Sequence, residues 1–316
     1  MNINIRQLWE ERAGVFVPLI TIWIVVAVLI LLYYGVDTTL FTEPQLGNTA
    51  LALTPYVFVA FAQAIVMLTA GIDLSIGASI SLITCLMATH HSGTAVVLSV
   101  FAGIAIGLWN GTFVVFLRMP AIVVTLANSF VISGVALLVL PTPGGQVGNA
   151  ILNAGSSVFL FLPISLWSWI VILLAWAYFK RTRTGLAIYA LGNNPEAARS
   201  AGINVSAVRL TAWAISGFFT ALGGIALAIE TSTGDPTVGV PFTLSSIAGA
   251  VVGGVSFFGG RGTLRGALAG GIIIGALTNV LFFLGISQFV QYIVEGFVLI
   301  GALALGQIKV GRRDRV

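Results

Sequence analysis

Hydrophobic residues run along this chain in long blocks, and the polar breaks between them are short. Between Arg12 and Asp37 lie 24 uncharged residues, and between Glu43 and Asp73 lie 29. A helix needs about 20 apolar residues to cross the hydrocarbon core of a bilayer, so each block predicts one span. The block 74–117 is broken only by "HHSG" at 90–93 and reads as two spans. The block 119–179 is broken by the Pro/Gly-rich "PTPGGQVGNA" at 141–150 and again reads as two. A polar stretch follows at 180–209. Further spans are predicted over 210–229, over 236–260 and from 266 toward 294, and a last one from Ser287 onward carries Glu295 inside it. The total is about ten helices. Backbone groups in lipid must be satisfied internally, so the expected fold class is all-α, a polytopic integral membrane protein in a single transmembrane domain, 1–316.

Composition narrows the functional classes. Only 8% of the 316 residues are charged and 58% are hydrophobic, against about 25% charged in an ordinary soluble domain. That excludes a soluble enzyme, a disulfide scaffold and a disordered chain. The first apolar block is long, with no small-residue cleavage site after it, and reads as a retained anchor. Charge then sets orientation. With ten spans starting inside, the inner segments are 1–13, 71–74, 118–120, 180–209, 259–265 and 309–316. They hold all 14 Lys and Arg. The outer segments hold Asp37, Glu43, Glu230 and Asp235 and no base. The positive-inside rule is met, and both termini are expected in the cytoplasm.

The two halves of the chain resemble each other. "DLSIGA" at 73–78 recurs as "DPTVGV" at 235–240, "GIAIGLWN" at 103–110 as "GIIIGALTN" at 271–279, and "SGVALL" at 133–138 loosely as "IGALAL" at 300–305. The offsets are nearly constant, and they span five helices. An odd number inserts the halves in opposite senses, so regions 15–140 and 210–308 are expected to form a five-helix inverted repeat. Such repeats suit transporters, in which related halves rock about a site near the midplane.

The inner loop 180–209 holds "GNNPEAARSAGINV" at 192–205. Asn194 can cap a helix, Pro195 suits its first turn, Glu196 sits at the positive dipole end and Gly202 can end it. This predicts about two helical turns. One reading is a capped surface turn. The other is a docking element, since the loop joins the two repeats and Ala197, Ala198 and Ala201 permit close approach.

Three motifs carry a family resemblance. "EAARSAG" at 196–202 looks like the Glu-Ala-Ala-x-x-x-Gly signature of membrane subunits of ABC importers. "AGIDLSIGASISL" at 70–82 and "AGAVVGGVSFFGGRGTLRGALAG" at 248–270 resemble the Gly-Ile-Asp-Leu-Ser-x-Gly motif and Gly-rich segment of ribose/galactose-type sugar permeases, relatives of branched-chain amino acid permeases. Order and spacing match from about residue 50 to 305. One departure is Ala70, where the family often has a second glycine before the Ile. The resemblance implies a type II ABC importer-like permease in the bacterial inner membrane, paired with a second copy or a paralogue. It implies two cytoplasmic ATPase subunits and a periplasmic or lipid-anchored sugar-binding protein as partners, with no nucleic acid. It also implies that Asn194, Pro195, Glu196, Ala197, Ala198, Arg199 and Gly202 form the helix that couples to the ATPase. The chain itself has no GxxxxGK[ST] phosphate loop, so ATP and Mg are expected on the partner and no cofactor here.

Candidates for chemistry inside the spans are few. Gln63, Trp109, Asn110, Asn128, Asn279, Gln291 and Glu295 could line a sugar path, and each could equally make an interhelical hydrogen bond. An intramembrane acid such as Glu295 marks a functional site unless it is buried and bonded to a neighbour. Asp73 reads as a helix cap in preference to a substrate contact, with Gly71, Ser75 and Gly77 allowing a helix break or gate there. The glycine steps from Gly103 to Gly111 and from Gly266 to Gly275 suit close helix packing. Arg261 and Arg265 read as topology anchors, and His90 with His91 as an outer turn, not a metal site. The acidic outer face predicts a polar or modestly basic binding-protein surface meeting Glu230 and Asp235. The competing reading is an ion-coupled secondary carrier, whose coupling groups could only be Glu295 and Asp73. A membrane enzyme lacks any clustered set of catalytic groups.

Overall fold

The computed structural model describes Gly35 and residues 42–90 and 92–311. Apart from Gly35, the predicted first span lies outside the described residues, as do the tail 1–13, His91 and the last arginines. The described chain is helical. In order come α1 (Glu43–Leu68), α2 (Ile76–Thr89), α3 (Gly93–Phe116), α4 (Ala121–Val139) and the short α5 (Asn149–Gly155). A hairpin of β1 (Val158–Phe159) and β2 (Leu162–Pro163) leads to α6 (Ile164–Phe179), α7 (Arg183–Asn193) and α8 (Pro195–Ser200). The chain ends with α9 (Val205–Thr231), α10 (Val240–Val252), α11 (Leu264–Phe283) and α12 (Gln288–Gly311). Among the described residues α1, α3, α4, α9 and α11 are long and apolar enough to cross a bilayer, which fits a polytopic membrane protein.

Several elements differ from the hydropathy reading. The second span expected within 119–179 is divided: α5 and the hairpin occupy its first part, with Leu160 and Phe161 at positive φ in the turn, and α6 has 16 residues. The inner loop is largely helical, since α7 fills its first half and α9 begins at Val205, five residues before the predicted span. The span expected at 266–294 stops at Phe283, and Gly285 takes φ +71 to turn the chain. Two predicted spans, 74–89 and 236–260, contain only the 14-residue α2 and the 13-residue α10. At 1.5 Å per residue each is about 20 Å long, too short for a bilayer of about 30 Å. The remaining length is supplied by the non-helical stretches before them, 69–75 and 232–239. Both stretches lie against neighbouring helices, where non-helical backbone at membrane depth is tolerated.

Packing explains how two short helices are held. Helix α9 runs through the centre against α1, α2 and α3. Small residues let these backbones approach. A Cβ on Gly103 or Gly107 would strike the carbonyl of Gly217 or Trp213 on α9, and one on Gly270 would strike that of Gly249 on α10. Phe61 and Phe219 meet edge to face with centroids 5.5 Å apart. In lipid such van der Waals fit, not water exclusion, drives helix association. The first residues of α2 and α10 meet each other in the interior: a Cβ on Gly77 would hit the carbonyl of Gly239, and one on Gly239 that of Gly77. Ser81 Oγ accepts the Gly239 N–H at 2.9 Å. Each short helix is preceded by the same turn. Asp73 Oδ1 accepts the Ser75 N–H and hydroxyl at 2.8 and 2.6 Å, and Asp235 Oδ1 accepts those of Thr237 at 2.7 and 2.8 Å.

Candidate functional site

The basic loop is built as a compact platform. Asn194 Oδ1 accepts the N–H groups of Glu196 and Ala197, both at 3.0 Å, with Pro195 in the first turn. These bonds take up donors that a helix start otherwise leaves open. At the other end Gly202 takes φ +80, and the Gly202 and Ile203 N–H groups close onto the Arg199 and Ala198 carbonyls. The resulting α8 buries Ala198 and exposes Asn194, Pro195, Glu196, Ala197 and Arg199. Immediately before it, a Cβ on Gly192 would collide with the Leu68 carbonyl and with Gly260. The Gly260 N–H bonds that same carbonyl at 3.0 Å. The C-terminal end of α7, from which α8 follows directly, therefore sits on the ends of α1 and of the 253–263 loop. Ala70, in the adjoining turn, has φ +61, a left-handed conformation that glycine adopts without strain. Gly71 is held against Val66 and Trp213.

From that turn a side-chain chain leads across the protein. Asp73 is bound to Ser75; Asn110 Nδ2 donates to Ser75 Oγ at 2.8 Å; Asn128 Nδ2 donates to Asn110 Oδ1 at 2.6 Å; Trp109 Nε1 donates to Asn128 at 3.4 Å. Leu74 N–H donates to Thr125 Oγ1 at 3.0 Å. Five of the residues singled out in the sequence thus form one network joining the α2 entry to α3 and α4. Asp73, Ser75 and Asn110 are buried in it, while Trp109 is 57% exposed on the outward face of α3. Gln63 stands apart: it is fully buried in α1, and neither side-chain polar atom has a partner. Gly77 serves the contact with Gly239 already described.

At the opposite, acidic end, α1, α9, α10, α11 and α12 enclose a cavity of about 610 Å³. Glu295 lies in its wall and is 3% exposed; its Oε2 accepts from Ser245 Oγ at 2.9 Å and its Oε1 from Thr278 Oγ1 at 3.2 Å. Asn279 donates to the Gly275 carbonyl and Gln291 to that of Ile286, both at 3.0 Å, and both side chains line the space. Tyr56, Tyr292, Phe242 and Phe282 supply aromatic walls, and Glu230 is exposed at the rim. Asp235, grouped with Glu230 on sequence grounds, holds the turn before α10. The seven pathway candidates therefore fall into three places: the Asn110–Asn128–Trp109 network, the Asn279–Gln291–Glu295 cavity, and Gln63 alone.

Sequence reading passed over Tyr56, Ser245, Thr278 and Thr125. Lone hydroxyls in apolar helices carry no spacing signal, because in most cases they bond the carbonyl one turn back. A signal did exist for Thr278, which directly precedes the flagged Asn279.

Comparison with known proteins places the chain. A family model described as branched-chain amino acid transport system / permease component matches residues 45–303. The ribose import permease protein of Haemophilus influenzae is 33% identical over 309 residues, covering 94% of this chain and 93% of its own. The galactose/methyl galactoside import permease protein of Salmonella typhimurium is 29% identical, covering 96% of both chains. The fructose import permease protein of Rhizobium meliloti is 33% identical, covering 79% of this chain and 74% of its own. No solved structure matches. With its motifs, helical build and full-length similarity in agreement, the chain belongs to the family of branched-chain amino acid transport system permease components.

Proposed function

We propose that this chain is the membrane-spanning subunit of an ATP-binding cassette importer that brings a monosaccharide into the cytoplasm by alternating access. The observation that carries the reading is similarity along nearly the whole chain to three import permeases whose named cargoes are all sugars. The ion-coupled carrier fares worse, because the family is that of a permease component, one part of a larger transport system. The energy source is a separate ATPase with its own ATP and Mg, meeting the exposed face of α8. Supporting this, α8 is short, capped at both ends, and follows directly on the end of α7, which is seated on Leu68 and Gly260 beside the turn that leads to α2. A sugar-binding protein delivers cargo from outside, and a second permease copy or paralogue completes the pair in the bacterial plasma membrane, with both termini cytoplasmic.

The ten-span, inverted-repeat architecture belongs to the same proposal. It is supported by the reciprocal Gly77–Gly239 contact, by the matching Asp73–Ser75 and Asp235–Thr237 turns, and by a second pair of clasps. Asn110 bonds Asn128 across α3 and α4, and Thr278 bonds Glu295 across α11 and α12, at offsets of 168 and 167. Of the pathway residues, Asn279, Gln291 and Glu295 face open space, Trp109, Asn110 and Asn128 clasp helices, and Gln63 stands alone. The test is reconstitution with the ATPase and binding protein in proteoliposomes. The expected result is sugar uptake that needs ATP and ignores an uncoupler. Uptake that persists without the ATPase and collapses with the ion gradient would sink the proposal.

A further inference from the structure

The cavity at the acidic end is more specific than a passage. Its volume, about 610 Å³, lies within the roughly 300–1,000 Å³ of small-molecule sites. Its lining contains no Lys, Arg or His, and contains two carboxylates, Glu230 and Glu295. Carboxylate and amide oxygens accept from adjacent hydroxyls, and aromatic faces cover the C–H side of a sugar ring. Glu295 is fixed from behind by Ser245 and Thr278, so its position is set before any ligand arrives. The amides of Asn279 and Gln291 are likewise anchored to backbone carbonyls.

The geometry points to a binding site for an uncharged monosaccharide within a single protomer, on the outward side, in which Glu295, Asn279 and Gln291 take hydroxyls and no base is present to hold an anionic sugar. This rests on the importer reading above and adds to it a selection step inside the permease, separate from that of the binding protein. Because the lining holds two carboxyl groups and no base, a sugar phosphate or sugar acid finds no counter-charge there and would lose its hydration on entry. Glu230 acts here as a cavity residue, not as a docking contact for the binding protein.

The experiment uses the assembled importer in proteoliposomes. Buried Cys85, the only cysteine, is replaced (Cys85→Ala), and a thiol is placed at the cavity mouth by Ser287→Cys or, in a second version, Phe282→Cys. Labelling by a membrane-impermeant maleimide is timed with D-ribose, D-galactose, D-fructose and their phosphates as probes. At concentrations that fill most sites, mass action gives a slowing of about fivefold or more. At least one neutral sugar is expected to slow labelling that far in both versions, the phosphates to leave it unchanged, and Glu295→Gln to abolish the protection. No protection by any neutral sugar, equal protection by phosphates, or protection by a metal cation alone would overturn the inference. ATP-driven uptake is measured on the same vesicles. Normal uptake without protection condemns the cavity site and spares the importer reading, whereas loss of ATP dependence condemns the importer reading itself.

Discussion

Replacing Asn194 by alanine isolates the role of α8. The Asn194 side chain accepts two N–H bonds of 3.0 Å at the start of a helix with only six residues. Both donors are near the surface, so water takes them over, and the loss is that of an ordinary N-cap, about 1 kcal/mol. In a long helix that would pass unnoticed. Here it is large, because one and a half turns cannot nucleate alone. The population rests on this cap, on Pro195 and on the Gly202–Ile203 closure. A loss of about 1 kcal/mol shifts the balance between formed and open helix roughly fivefold. The spans pack elsewhere, so the membrane core should not feel it. The assay is sugar moved per ATP hydrolysed in reconstituted importer. Asn194→Ala is expected to lower that ratio up to about fivefold with the thermal transition unchanged, and Asn194→Asp, an equally good cap, to restore it. If Asn194→Ala leaves the ratio intact, or if Asn194→Asp loses as much, the cap is not what presents α8 to the ATPase.

Other residues give separate outcomes. Ala70→Gly relaxes a left-handed residue and should stabilise the purified protein by roughly 0.5–1 kcal/mol, read as a rise in the midpoint of thermal unfolding; a fall would mean the turn is not strained. Gly77→Val and Gly239→Val each drive a side chain into the facing carbonyl, and should each lower stability by about 1–3 kcal/mol and stop uptake, with the double variant no better than either single one. Asn128→Leu leaves Asn110 without its 2.6 Å partner, a loss of about 1–3 kcal/mol. A double-mutant cycle with Asn110→Leu should recover part of it, and strict additivity would show the two amides do not interact. Joint Ser245→Ala and Thr278→Val substitution removes both donors to Glu295, and should slow uptake while sparing ATPase contact measured by co-purification.

Legibility differed by element for a physical reason in each case. Long helices such as α1 and α9 announce themselves because hydrocarbon demands about 20 apolar residues in a row. The α8 platform was equally plain, since Asn194, Pro195 and Gly202 each act on the backbone beside them. Helix α10 was misjudged in length because its flanks, 236–239 and 253–260, carry no charge and so merge with the apolar block. Nothing local says that their backbone groups are served by other helices. The 141–163 stretch was read as a break and a span, and its hairpin depends on left-handed residues, Leu160 and Phe161, that carry no sequence mark.

The amino-acid sequence alone determined that this chain lives in a bilayer, which end is basic, and where a short capped helix forms. These follow from composition, charge placement and nearest-neighbour backbone chemistry, all of which are local. Only the tertiary structure decided that Gly77 meets Gly239, that Asn110 clasps Asn128, and that Asn279, Gln291 and Glu295 open onto one cavity with Tyr56 and Glu230. Those residues are tens to hundreds of positions apart, and in an apolar chain their partners are chosen by which helix faces fit. That choice belongs to packing, which no single stretch of sequence contains.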